Sequence, residues 1–120
     1  MNSEDGLPDL PGIDKADGLR RVMNKTALYE KILRDFQARL INAPQIIRDS
    51  LTSGDLESAG RFVHSAKGLA GTIGALALQE AAKKLELALR NGEKPSDILL
   101  ARFEEELRTV LNGITAGFGL

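Results

Sequence analysis

The chain has no cysteine and no tryptophan, and in 120 residues it holds one tyrosine, four phenylalanines and a single histidine. Without cysteine there are no disulfides and no thiolate-ligated zinc, which fits a reducing compartment. Aromatics make up 4% and hydrophobic residues 42%, so the core must be built from Leu, Ile, Val and Ala. Helical bundles accept that composition. An excess of one charge is also missing. Sixteen Lys and Arg face 17 Asp and Glu, for a net charge of -1, so no basic field points to nucleic acid. No apolar run approaches the roughly 18 residues of a membrane span, which argues against direct membrane insertion. The polar, acidic N-terminus lacks the marks of a signal peptide, and a cytoplasmic location is the expectation. This length suits one domain.

What is present is helical patterning. Gly6, Pro8, Pro11 and Gly12 set residues 1–12 apart as a flexible lead or linker, with the bundle domain expected over 13–120. Asp14 is a good N-cap for a short helix to about Met23. A longer helix is expected from about Lys25, capped by Asn24, with Leu28, Ile32, Phe36 and Leu40 at helical spacing. Pro44 should kink or interrupt it, and Ile46, Ile47 and Leu51 continue the apolar face to Gly54. Asp55 caps the next helix, which ends near Gly74. Another spans about Ala75 to Arg90, with Leu78, Ala81, Ala82, Leu85, Ala88 and Leu89 as its buried stripe. Asn91-Gly92 stops it, and Pro95-Ser96-Asp97 opens a last helix marked by Leu99, Phe103, Leu107, Val110, Leu111, Ile114 and Phe118. No strand-type alternation of useful length occurs. The expected fold is all-α: an up-down antiparallel four-helix bundle with a short additional N-terminal helix.

The one histidine, His64, lies in the run His64-Ser65-Ala66-Lys67-Gly68-Leu69-Ala70-Gly71-Thr72-Ile73-Gly74-Ala75. Each helical residue advances about 100°. Glu57, Gly60, Arg61, Lys67, Gly68 and Gly71 therefore fall within roughly 60° of His64. Ala59, Val63, Ala66, Ala70 and Ile73 fall on the opposite, core side. Each interior glycine costs about 1 kcal/mol against alanine, and an ordinary solvent face would carry Glu, Lys, Gln or Ala instead. Glycines beside an imidazole lower the surface and let another molecule approach the ring.

The string His64-x-x-Lys67-Gly68-x-x-x-x-x-Gly74 resembles the signature of histidine-containing phosphotransfer domains, the helical bundles that relay phosphoryl groups in phosphorelays. Leu10-Pro11-Gly12-Ile13-Asp14 is similar to the lead-in before such domains in bacterial hybrid sensor kinases. Leu85-Glu86 resembles the usual end of the helix after the histidine. The resemblance covers about residues 10 to 118. It implies a phosphorelay intermediate without autonomous kinase activity, which accepts a phosphoryl group from a receiver-domain aspartate onto His64 and passes it to another.

The residues permit that chemistry. A neutral imidazole is a good nucleophile near pH 7, since its reference pKa is about 6.5, and the resemblance implies Nε2 of His64 as the phosphorylated atom. Several family members carry Gln 22 residues after the histidine, where this chain has Glu86. A carboxylate can accept the Nδ1–H bond and orient the ring. It also makes the ring more basic and favours the non-nucleophilic imidazolium, so its effect on rate has either sign. Lys67, one turn beyond His64, can stabilise the charge of a transferred phosphoryl group, and Arg61 can contribute weakly. Gly60, Arg61, Gly68 and Gly71 are the expected partner-docking residues, with Gly71 open to either surface or helix-packing use. Ile13 and Leu19 are further candidates for docking or core. Gly74 is read as the helix terminator.

The resemblance implies no cofactor or metal bound by this chain; Mg²⁺ is expected on the partner receiver domain. A monomer is the simplest state. The alternative function is a non-catalytic helical interaction module whose surface histidine is incidental. A hydrolase using His64 as general base has little support, because Ser65 points about 100° away on the helix and no other nucleophile has a suitable context. A chemotaxis-type kinase N-terminal domain shares the chemistry but is normally followed by kinase domains.

Overall fold

The computed structural model describes residues 6–95 and 97–120. Six helices follow in order: α1 (Lys15–Arg21), α2 (Thr26–Leu40), α3 (Ala43–Thr52), α4 (Leu56–Ile73), α5 (Leu76–Arg90) and α6 (Asp97–Phe118). No strand occurs among the described residues. Helices α2 and α3 act as one arm broken at residues 41 and 42, and with α4, α5 and α6 they form the four-membered bundle. Short loops make sequential arms antiparallel neighbours. The most extensive helix contact joins α4 to α5, and α1 packs on α4 and α2. The molecule measures 46 × 24 × 20 Å.

The expected interruption falls at Pro44, which sits in the first turn of α3, where its missing N–H costs nothing. The side chains of Asp14 and Asp55 cap α1 and α4 by accepting from the backbone N–H groups of Asp17 and Ser58. Gly74 ends α4 in the left-handed conformation, φ +82°. The Ala75 N–H then reaches back to the Ala70 carbonyl at 2.9 Å, closing a Schellman turn that sends the chain straight into α5. Helix α1 covers this turn. Asp14 N–H donates to the Gly74 carbonyl at 2.8 Å, and the buried Tyr29 hydroxyl donates to the Ile73 carbonyl at 2.6 Å.

Several details differ from the sequence reading. Helix α1 stops at Arg21, and Met23 and Asn24 both adopt positive φ, so Lys25 stands at the N-cap of α2 in place of Asn24. The buried stripe of α2 is Tyr29, Leu33, Phe36 and Leu40. Phe36 and Leu40 are buried as expected, but in the first half of the helix Tyr29 and Leu33 take the core positions, leaving Leu28 exposed and Ile32 partly buried. Ile47 is buried while Ile46 faces out. In α5 Glu86 takes a buried place, while Ala88 is only partly covered. Leu85-Glu86 lies well inside α5, which continues to Arg90.

Within the expected lead, residues 1–5 lie outside the described residues. Leu7 and Leu10 join the core at 5% exposure each. Pro8 and Pro11 lie over Gly117 and Gly113 of α6, where a Cβ would come within 2.8 Å of either ring. Residues 7–12 are therefore part of the packed body, held because Leu7 and Leu10 are buried in the core, Leu10 beside Gly117 of α6. Full burial of such a side chain is worth about 1.5–3 kcal/mol. Leu19 is also core, at 8% exposure, which removes it from the docking candidates; Ile13 packs partly against the same core. An ion pair between an exposed arginine and a buried glutamate ties α3 to α6. Arg48 donates to both oxygens of Glu104, with Nε to Oε2 at 2.7 Å, and Glu104 is 7% exposed.

Candidate functional site

Helix α4 presents two faces, as its spacing requires. Ala59, Val63, Ala66, Ala70 and Ile73 are fully buried, so the His64 side chain, one residue on from Val63, projects outward with 61% of its surface exposed. Helix α5 runs alongside and brings Glu86 beneath it. Glu86 is only 6% exposed, and three donors converge on its carboxylate. Nδ1 of His64 lies 2.6 Å from Oε2. Lys67 Nζ donates to Oε1 at 2.6 Å. Arg90 Nη2, one turn further along α5, donates to Oε2 at 2.9 Å. An ionised carboxylate only accepts, so its bond to the ring requires the proton on Nδ1. In the neutral ring Nε2 then carries the lone pair, and it has no hydrogen-bond partner among the described residues.

Burial pushes the Glu86 carboxyl up, but the hydrogen bonds and charges of Lys67 and His64 together outweigh that. They hold it below its ordinary value of 4.5. The carboxylate is therefore ionised at neutral pH, and its negative charge is shared among three partners. A buried carboxylate with this many donors is the satisfied case; stripped of them it would be strongly unfavourable.

A groove of about 710 Å³ runs beside the ring between α4 and α5, lined among others by Gly60, Arg61, His64, Glu86, Leu89 and Arg90. Gly68 is exposed, and a Cβ there would meet nothing within 4 Å. A Cβ on Gly60 would make only ordinary contact, 3.7 Å from Leu89 Cβ. Gly71 corrects the sequence reading. It is buried, and a Cβ would meet the Gln79 side-chain amide, so it is not part of an open docking surface. Arg61 lines the groove but is turned away from the carboxylate, donating to Glu57 at 2.7 Å and to Ser58 Oγ at 3.1 Å. Lys67 is bound to Glu86 and 28% exposed, a more enclosed position than a surface cation beside the ring.

Sequence reasoning missed Arg90. Its signal was the Glu86–Arg90 spacing of four on one helix, which favours an ion pair, but nothing local marked Glu86 as buried. Among the described residues no group of three His, Asp or Glu side chains is placed to hold a metal ion, and no helix is long and apolar enough to cross a membrane.

The fold is an all-α bundle that sets one solvent-facing imidazole over a buried carboxylate. The family model described as Hpt domain matches residues 31–117, and the chain belongs to this family. Hpt domains carry out histidine phosphotransfer in phosphorelays, interact with receiver domains, and are phosphocarriers, not kinases. The match leaves out α1, the segment before it and the first five residues of α2. No curated protein and no solved structure matches the chain.

Proposed function

We propose that His64 is the phosphoacceptor, and that this domain takes a phosphoryl group from a receiver-domain aspartate onto Nε2 and hands it to another receiver aspartate. The observation that carries this reading is the pairing of an exposed ring with a buried acceptor for its Nδ1–H. The bond selects the tautomer whose Nε2 lone pair faces solvent. Positioning and charge neutralisation dominate phosphoryl transfer. The chain supplies the first through a nucleophile on a rigid helix, and Lys67 supplies part of the second. Mg²⁺ belongs to the receiver in this scheme. Gly60 and Gly68 leave room for the receiver to approach, and a monomer with one reactive face is sufficient.

The test is transfer from a phosphorylated receiver domain to the wild-type chain and to His64→Gln. Acid-labile, alkali-stable label on the wild type alone is the expected result. His64 is mostly exposed, so the variant should fold normally by circular dichroism. Label that persists on folded His64→Gln would overturn the assignment.

A further inference from the structure

The bond between Glu86 and His64 carries a consequence for the phosphorylated state. We propose that the Glu86 carboxylate keeps a proton on Nδ1 of His64 before, during and after transfer, so that phosphorylated His64 is a phosphoimidazolium whose phosphoryl group departs from a neutral imidazole. The proposal rests on His64 being the phosphoacceptor and makes Glu86 a positioning residue whose charge matters as well as its geometry.

The atoms balance without any proton entering or leaving. In the accepting step the Nε2 lone pair forms an N–P bond while the P–O bond of the receiver's acyl phosphate breaks, and its electron pair stays on the aspartate oxygen. The ring becomes positively charged, with its proton still on Nδ1, facing an anionic acceptor 2.6 Å away. In the donating step the N–P bond breaks, its pair returns to Nε2, and a P–O bond forms to the next aspartate. With Nδ1 protonated, the departing group is neutral imidazole. With Nδ1 bare it would be imidazolate, a far poorer leaving group. A neutral amide at position 86 could accept the same hydrogen bond but would not offset the charge on the ring.

The groups facing this bond are few. From α4 come Lys67, bound to Oε1, and Arg61 with Glu57, which pair with each other. From α5 comes Arg90, bound to Oε2. Lys67 and Arg90 draw on the same carboxylate and reduce its pull on the ring. An incoming phosphoryl group, with about −1.5 to −2 charges, competes for Lys67, and each shift of that ammonium away from Glu86 leaves more of the carboxylate charge to Nδ1. Arrival of the phosphoryl group thus strengthens the bond that keeps it transferable.

The experiment compares the wild type with Glu86→Gln, which retains shape and a hydrogen-bond acceptor. Each is phosphorylated chemically with phosphoramidate, and loss of phosphohistidine is followed by ³¹P NMR from pH 5 to pH 10. Rapid hydrolysis should persist to a pH about one unit higher in the wild type, so that on the alkaline limb it loses phosphate about tenfold faster than the variant. Superimposable profiles would overturn the proposal, as would a variant whose fast limb reaches the higher pH. Absence of any phosphohistidine on the folded wild type would instead defeat the phosphoacceptor reading, and this proposal with it. A separate readout needs no phosphate. ¹⁵N NMR of the resting imidazole should show the proton on Nδ1 and a bare Nε2 in the neutral ring, and the opposite tautomer would overturn the role of Glu86 by itself.

Discussion

Gly68→Gln separates docking from stability. The glycine is exposed, one turn beyond His64 on the same face, and a Cβ there meets nothing within 4 Å. Replacing it removes a helix-interior glycine, whose cost relative to good helix formers is about 1 kcal/mol. Most of that should be recovered, since glutamine ranks close to alanine. For a domain of this size the gain corresponds to a rise in Tm of about 3–5 °C. The added side chain projects into the space through which a receiver must reach the ring. Forcing extra atoms into a fitted contact costs about 1–3 kcal/mol, or roughly a 5- to 150-fold loss in transfer rate. Thermal unfolding by circular dichroism and phosphoryl transfer from a phosphorylated receiver give the two numbers. The expected outcome is a more stable protein that accepts phosphate more slowly. Unchanged transfer would refute a docking role for Gly68, and lowered stability would refute the reading of open space above it.

Other expectations follow from the same geometry. Gly74→Ala should destabilise by about 2 kcal/mol or more, because φ is +82° and the new Cβ would strike the Asp14 carbonyl, a backbone atom; urea unfolding reads this directly. Tyr29→Phe should cost about 2 kcal/mol by the same assay, since it strands the Ile73 carbonyl beneath α1; no measurable loss would show that water or another donor replaces the hydroxyl. The Glu86 carboxyl is depressed on folding, so its stabilising contribution is fully present above 4.5 and is lost as the pH falls through the folded value. Between pH 5 and pH 3 the wild type should therefore lose more stability than Glu86→Gln. A stability gap that stays constant or widens toward pH 3 would contradict the depressed carboxyl.

The chain by itself determined what depends on local periodicity and local chemistry. Helical spacing, the caps at Asp14 and Asp55, the stop at Gly74 and the break at Pro44 are all decided within a few residues of themselves. So is the two-faced character of the His64 helix, because any helix over 56–73 places Val63 and His64 on different sides. Only the tertiary structure decided which of these residues meet. Glu86 reads as an ordinary helix carboxylate until α5 packs on α4 and buries it beneath His64, Lys67 and Arg90. Gly71 looks equivalent to Gly68 on a helical wheel, yet one lies under Gln79 and the other faces open space. Leu7 and Leu10 sit in a stretch rich in proline and glycine, and only the packed core gives them a place to be buried. Burial depends on what the rest of the chain brings to a residue, and a pattern three or four residues long holds no record of it.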